Sequence, residues 1–142
     1  AHLQGRGDVY PKRRGLTRVK ELLENGNNVA FAQDSIADYW YPLGNGNMMN
    51  ILDNGIHLAH YTHIDEINKA LDLITINGAN VMNIEDYGIK QGNSANFIVL
   101  DASDAYEAVR ERAEVLASVR DGEYLFKREV RKNEMEIDFL SK

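Results

Sequence analysis

One aspartate stands where a catalytic carboxylate could act. Asp34 follows the short apolar run 28–32 (Asn-Val-Ala-Phe-Ala) and lies in a polar and aromatic segment, 33–47. A carboxylate in this setting can bind a divalent metal or act as a general base. It can equally cap a helix or a turn, because Ser35 and the residues after it would accept either arrangement. Spacing alone therefore leaves both a catalytic and a structural role open for Asp34.

Three histidines form the second candidate group. His57, His60 and His63 are spaced three residues apart, which invites comparison with zinc sites. On a helix, positions i, i+3 and i+6 turn around the surface, so the three imidazoles cannot easily reach one ion. The chain has no cysteine, and no well-spaced carboxylate completes a ligand set. We therefore expect these histidines on a helix face or in a loop, without a metal.

The elements around Asp34 indicate an α/β fold with parallel strands. Apolar residues recur at helical spacing within 15–24, and Gly26 follows at the position of a C-terminal cap. The run 28–32 is too short for a helix and is typical of a strand buried on both faces. Loops that leave the carboxyl ends of parallel strands carry the active sites of such folds. We therefore predict that 33–47 is an active-site loop.

Downstream of this loop, the pattern predicts helices first and strands later. The expected helices cover 48–54, 64–77 and 105–112, and a short turn is expected at 79–83. Ile64, Ile67, Leu71 and Ile74 form one stripe on the second helix, with Thr62 or His63 near its cap. A strand is expected at 97–100, and a hairpin at 115–126 turns at Asp121-Gly122. The charged tail from Lys127, with alternating Met135, Ile137 and Phe139, is either an edge strand or disordered.

Composition and charge exclude several classes of protein. The 142 residues, 44% of them hydrophobic, suit one compact domain or a piece of a larger protein. The net charge of −6 argues against a general nucleic-acid binder. No run approaches the roughly 18 apolar residues of a membrane span, and the first residues do not show a signal-peptide pattern. These features, with the absence of cysteine, favour a soluble cytoplasmic protein without a membrane or nucleic-acid partner.

Three stretches carry longer motifs. They are His2-Leu3-Gln4-Gly5-Arg6 with Tyr10-Pro11-Lys12-Arg13-Arg14-Gly15, then Asn28 to Asp34 with Asp38-Tyr39-Trp40-Tyr41-Pro42-Leu43-Gly44, and finally Tyr87-Gly88-Ile89 with Gly92-Asn93-Ser94-Ala95-Asn96. In this order they resemble the cytosine deaminases of the amidohydrolase superfamily. The resemblance extends to about Gly122, and its first two stretches are the most specific to this branch. Asn96 departs from the aspartate that is usual in the third.

The resemblance implies the C-terminal part of a metal-dependent hydrolase. The family fold is a distorted (β/α)8 barrel with a small β-sandwich built from both chain ends. On this template, residues 1–86 supply the last βα units of the barrel, including the active-site loop 33–47. Residues 87–142 supply a segment of the β-sandwich and the tail. Such a piece leaves an open sheet edge and uncovered apolar surface, so we expect homo-oligomers.

The resemblance also implies an activity, the deamination of cytosine to uracil and ammonia. Asp34 matches the aspartate that binds the divalent metal, commonly iron or zinc, and carries the proton of the attacking water. Trp40 matches an aromatic residue that packs near the pyrimidine, and Ser35 stands where the family often has a second aspartate beside the substrate. Gln33 replaces a histidine. The changes at Ser35 and Gln33 leave open a relative that acts on another cyclic amidine or amide, of triazine or creatinine type.

The family's other metal ligands lie upstream of the matched region. His2 belongs to the His-Leu-Gln-Gly-Arg stretch and does not fall at a ligand position. We therefore expect that the isolated chain does not retain iron or zinc and is inactive by itself. The first residue, Ala1, is compatible with a processed or tagged terminus or with a cut inside a larger protein. A function of a different class stays open, namely a short gene product that acts as a non-catalytic partner or remnant.

Overall fold

The computed structural model describes residues 7–11 and 15–130, which form a helical part followed by a small sheet. The helices are α1 (Val19–Glu24), α2 (Met48–Leu58), α3 (Ile64–Ala70), α4 (Ile76–Val81) and α5 (Ala105–Arg110), with one 3-10 turn at Leu71–Ile74. The strands are β1 (Phe97–Leu100), β2 (Val115–Arg120) and β3 (Glu123–Lys127). These residues combine helices with one antiparallel sheet, and no barrel forms among them. No helix within the same ranges is long and apolar enough to cross a membrane.

The core lies between α2, the 3-10 turn and α5. Its buried members are Met49, Leu52, Ile56, Ala70, Leu73 and Val109. The helix α2 starts at Asn47, whose side-chain oxygen accepts from the Met49 amide (3.0 Å) and so satisfies a free donor of the first turn. It continues to Leu58, beyond the predicted end at residue 54. The extension includes Gly55, and glycine inside a helix costs about 1 kcal/mol relative to alanine. Burial of the Leu52 and Ile56 side chains outweighs this cost.

The predicted helix 64–77 is divided into three pieces. It begins as expected after His63, whose amide donates to the Glu66 carboxylate (2.9 Å) in a capping box. Regular helix gives way to the 3-10 turn after Ala70, and that turn ends at Thr75, whose backbone leaves the helical region and whose hydroxyl donates to the Leu71 carbonyl (2.7 Å). The turn predicted at 79–83 overlaps the end of α4. Of the predicted stripe, Ile67 packs against the core whereas Ile64 is exposed.

The predicted strand at 28–32 is absent, which corrects the parallel-sheet prediction for this segment. A strand requires a neighbouring strand, and within 7–11 and 15–130 none runs beside these residues. Instead the Phe31 amide donates to the Leu73 carbonyl (2.7 Å), and the Asn77 side chain donates to the Val29 carbonyl (2.8 Å). The side chains of Val29 and Phe31 pack against the helical core. The segment is therefore anchored by helices and not by a sheet.

The sheet at the C-terminal side agrees closely with prediction. Strands β1, β2 and β3 pair in sequence order, and both pairs are antiparallel. Asp121 and Gly122 both adopt positive φ, of 50° and 85°, as the two-residue turn of a type I′ hairpin requires. The predicted tail after Lys127 falls mostly outside the described residues, because 131–142 are not among them.

The first helix begins later than predicted. α1 starts at Val19, whereas the apolar pattern predicted a start at residue 15. Leu16 is exposed and does not join the core, so it adds no burial that would extend the helix. At the other end, Gly26 has φ 77° just beyond the last turn, as a C-terminal cap requires. A bridge from Lys20 to Glu66 (2.8 Å) connects α1 to α3.

Candidate active site

The loop 33–47 connects the segment 28–32 to α2, and local hydrogen bonds hold its C-terminal end. Near its end, the Asn45 side chain accepts from the Asn47 amide (3.0 Å), and Asn47 itself caps α2. Side chains of Asn that bond to backbone two residues ahead stabilise turns of this kind. The end of the loop is therefore tied directly to the first turn of a core helix.

Asp34 and Gln33 face different surroundings at the start of this loop. The Asp34 side chain is exposed, and none of the residues that the structure describes forms a hydrogen bond or an ion pair with its carboxylate. The Gln33 side chain is half-buried and donates to the Ser35 carbonyl (2.6 Å). Among the residues that the structure describes, Asp34 therefore does not cap a helix or a turn.

Ser35 is buried within the loop, with 9% of its surface exposed. Gly44 approaches it from the opposite side of the loop. A Cβ at Gly44 would overlap the Ser35 carbonyl oxygen and would stand 3.1 Å from the Ile36 Cα, so only glycine fits there without movement. This close approach sets the distance between the two ends of the segment 35–44.

Asp38 organises the middle of the loop. Its Oδ1 accepts from the amides of Tyr41 (2.8 Å) and Trp40 (3.0 Å). The Tyr41 amide is the largest cause that lowers the pKa of the Asp38 carboxyl; desolvation by burial opposes it, and the Ser35 side chain and the Trp40 amide lower the pKa further. The ionised carboxylate is thus the form that the loop favours.

Trp40 presents its ring to solvent. Sixty per cent of its surface is exposed, and its ring meets the edge of Tyr39 with centroids 5.9 Å apart and planes at 84°. Leu43, nearby in sequence, is also exposed. An indole in this position offers a flat apolar face on which a planar ring can stack.

A cavity of about 160 Å³ lies between the loop and α2. Gln33 and Tyr41 line it from the loop, and Asn50, Asp53 and Asn54 line it from the helix. Asp34, Ser35 and Trp40 are not among its lining residues. The structure therefore keeps the three predicted site residues in one loop without bringing them into one cavity.

The three histidines occupy structural positions at helix ends and on a helix face. His57 lies on α2, where its Nδ1 is 2.8 Å from the Asp53 carbonyl oxygen. His60 has φ 53° just after that helix, and His63 caps α3. These placements agree with the prediction of helix-face and loop positions.

The metal prediction depends on Asp34 and on ligands from elsewhere. Within residues 7–11 and 15–130, no group of three or more histidine, aspartate or glutamate side chains could hold an ion. The exposed carboxylate of Asp34 is a chemically suitable ligand for iron or zinc, but one carboxylate does not make a site. The described part of the chain therefore does not form a metal centre by itself.

Comparison with known proteins identifies the family. Residues 1–126 match the amidohydrolase family. The chain belongs to that family. This match confirms the resemblance drawn from the three motif stretches. It also supports an amidohydrolase-type fold, although the barrel that characterises the family is not seen in the residues described.

A solved amidohydrolase structure is similar over nearly the whole chain. It is 5-methylcytosine deaminase from Klebsiella pneumoniae, liganded with 5-fluorocytosine, with 51% sequence identity and a TM-score of 0.89. The match covers 94% of this chain and 33% of that enzyme. The chain thus spans about a third of the length of this relative.

Two further relatives are named for a different activity. N-isopropylammelide isopropyl amidohydrolase from Pseudomonas sp. (strain ADP) is 36% identical over 114 residues, which are 79% of this chain and 28% of that protein. The structure of N-isopropylammelide isopropylaminohydrolase from Burkholderia multivorans ATCC 17616 has a TM-score of 0.72 at 24% identity, over 78% of this chain and 28% of that one. At this identity the second match supports the fold alone.

Sequence reasoning overlooked Asp38 as the centre of the loop. The signal was present, because aspartate followed two and three residues later by free amides is a common way to build a turn. The close approach of Gly44 to Ser35 had no comparable signal. It depends on how a ten-residue segment folds back on itself.

Proposed function

We propose that this chain is the C-terminal part of a metal-dependent hydrolase that deaminates cytosine or 5-methylcytosine. The observation that carries the proposal is the match at 51% identity and TM-score 0.89 to a 5-methylcytosine deaminase. In this assignment, residues 1–86 belong to the barrel and residues 87–142 to the smaller β-domain. Water adds at C4 of the ring, the amino group leaves as ammonia, and uracil or thymine remains.

Asp34 is the proposed metal ligand and proton carrier. Its carboxylate is exposed, and no hydrogen bond or ion pair joins it to the described residues, which supports both roles. The resemblance assigns the other ligands of the iron or zinc ion to positions upstream of the matched region. The ion, when bound, supplies Lewis-acid activation of water. Asp34 takes a proton from the attacking water and returns it to the departing nitrogen, a role that typically contributes 10²–10⁴-fold to rate.

Trp40 and Ser35 are the proposed contacts to the pyrimidine. The exposed indole face of Trp40 can stack on a planar ring. Ser35 takes the place of an aspartate in the family pattern, and a hydroxyl is both smaller than a carboxylate and uncharged. A smaller side chain leaves room for a methyl group on the ring, which favours 5-methylcytosine beside cytosine. The activity for which the Klebsiella relative is named, deamination of 5-methylcytosine, supports the same choice.

The second candidate is hydrolysis of a substituted triazine. It is favoured by the 36% identity to N-isopropylammelide isopropyl amidohydrolase and by the departures at Gln33 and Ser35. The chemistry is related, because water again displaces an amine from a ring carbon. The two candidates differ in the leaving group, which is ammonia in one case and isopropylamine in the other.

A chimera tests the proposal and separates the candidates. This chain replaces the corresponding third of the Klebsiella enzyme, and the purified protein is loaded with iron or zinc. Ammonia release is measured with cytosine and 5-methylcytosine, and isopropylamine release with N-isopropylammelide. Turnover of the pyrimidines supports the first proposal, whereas turnover of the triazine alone supports the second. Inactivity of a folded, metal-loaded chimera on all three contradicts both.

A further inference from the structure

Four contacts close the segment 35–44 into a ring. The Ser35 side chain interacts with the Asp38 carboxylate, and Asp38 accepts from the Tyr41 amide at 2.8 Å. The Tyr41 carbonyl accepts from the Gly44 amide at 3.2 Å. Gly44 in turn lies against the Ser35 carbonyl oxygen, where no Cβ would fit. The series of contacts therefore begins and ends at Ser35.

The Asp38 side chain also bonds to Trp40. Its Oδ1 accepts from the Trp40 amide at 3.0 Å. The Trp40 side chain is 60% exposed, so packing constrains it little and its position depends mainly on its backbone. One carboxylate thus ties the backbone of Trp40 to the side chain of Ser35.

We propose that Asp38 is a positioning residue that sets the orientation of Trp40 relative to Ser35, and so determines how tightly a pyrimidine is held between them. The proposal rests on the proposed function, which makes Ser35 and Trp40 the substrate contacts. It goes further because the family resemblance assigns no role to Asp38. Asp38 acts through Ser35 and Trp40 and does not itself contact the pyrimidine.

The local backbone explains why such a constraint is required. Ala37 has φ 49°, in the left-handed region that is unfavourable for an L-residue. An ionised acceptor with two amide donors forms the stronger, charge-assisted type of hydrogen bond. These bonds offset the cost at Ala37 and hold the turn that presents Trp40. Without them, Ala37 can relax and the indole loses its fixed direction.

Substitutions at Asp38 separate acceptor geometry from bulk. In Asp38→Ala both hydrogen bonds are lost, whereas Asp38→Asn keeps an oxygen at the same position. The matched control is Asp104→Ala, which removes a similar side-chain cap at the start of α5, where the Glu107 amide donates to Asp104 Oδ1 (2.8 Å). Circular dichroism of each variant reports whether it is folded. If Asp38→Ala does not fold, Asp38→Gln replaces it, because the extra methylene displaces the acceptor while the polarity is kept.

The fluorescence measurement needs no activity. Trp40 is the single tryptophan of the chain, so time-resolved anisotropy of the 142-residue protein reports this indole alone. We expect fast local rotation of Trp40 in Asp38→Ala, a return toward the parent signal in Asp38→Asn, and no change in Asp104→Ala. A folded Asp38→Ala protein with the parent anisotropy would overturn the proposal, whatever the protein's activity.

The kinetic measurement uses the chimera described above. Misplacing a binding group can cost up to about 100-fold, so we expect KM for cytosine to rise by about 10- to 100-fold in Asp38→Ala, with a much smaller change in kcat. Asp38→Asn should recover most of the loss, and Asp104→Ala should match the parent. Equal KM values in Asp38→Ala and the parent would contradict the proposal. An inactive parent chimera would instead count against the proposed function, and the anisotropy would still decide the role of Asp38.

Discussion

The ring of Phe31 lies directly on Gly55 of helix α2. A Cβ at Gly55 would overlap the ring, so the two residues meet only because position 55 has no side chain. Phe31 lies three residues before Asp34, in a segment that has no strand partner in the described residues. This contact, with the hydrogen bond from Phe31 to Leu73, fixes where the loop 33–47 leaves the helical core.

Replacing Gly55 by alanine should therefore destabilise the protein, although alanine is the better helix former. Overpacking of this kind costs typically 1–3 kcal/mol. The matched control is Gly78→Ala in α4, where an added Cβ meets nothing within 4 Å. It should stabilise by up to about 1 kcal/mol. Urea unfolding followed by circular dichroism measures both, and a stabilised Gly55→Ala protein would show that the contact does not constrain the segment.

Leu52 should contribute more to stability than any other leucine of α2. It is fully buried, whereas Leu58 at the end of the same helix is 51% exposed. Leu52→Ala should lower the free energy of unfolding by about 2–5 kcal/mol, because it leaves a cavity in the core. Leu58→Ala should change it by less than about 1 kcal/mol. Similar losses in the two variants would mean that the core is not centred on α2.

The Asp38 turn should respond to acid in one direction. Its hydrogen bonds hold the pKa of the Asp38 carboxyl below the ordinary value of 3.8. The ionised carboxylate therefore contributes fully to the stability of the turn above that pH. It is lost as the pH falls through the lowered pKa. We expect Trp40 fluorescence to stay constant from neutral pH to about pH 4 and to change below it. The Asp38→Asn protein should lack that local step, and an unchanged acid transition in this variant would contradict the assignment.

The exposed sheet should make the isolated chain self-associate. Ile98 and Val99 on β1 and Leu125 and Phe126 on β3 all expose more than 40% of their surface. Apolar strands at the edges of a sheet tend to pair with other chains. Size-exclusion chromatography with light scattering should show dimers or larger species. Charged replacements at Ile98 and Phe126 should shift the protein toward monomer, and a clean monomer in the parent chain would refute this prediction.

The success of sequence reasoning depended on whether an element is determined locally. The hairpin at Asp121-Gly122 was predictable because two residues that tolerate positive φ define the turn by themselves. The start of α3 was predictable to within one residue, Thr62 or His63, because a capping box is also built from residues close together in sequence. The run 28–32 was not, since its composition describes a buried segment and cannot say whether another strand or a helix covers it.

In the candidate site, too, residue types were predictable from the sequence, whereas contacts between residues were not. Asp34, Ser35 and Trp40 could be named from the family pattern, and the structure shows an exposed aspartate, a buried serine and an exposed indole in one loop. Their mutual arrangement could not be predicted, because it depends on the hydrogen bonds to Asp38 and on the approach of Gly44 to Ser35. The types of these residues predict a turn but not these particular contacts.

The most direct test of the account is the rate of ammonia release from cytosine and 5-methylcytosine by the metal-loaded chimera with Asp34→Asn. If Asp34 carries the proton, the variant should lose about 10²–10⁴-fold in kcat, as expected when a general base is removed. The control Asp104→Asn, remote in sequence from the loop and at the start of α5, should retain the parent rate. An Asp34→Asn chimera as active as its parent would contradict the central claim that this chain supplies the catalytic aspartate of a deaminase.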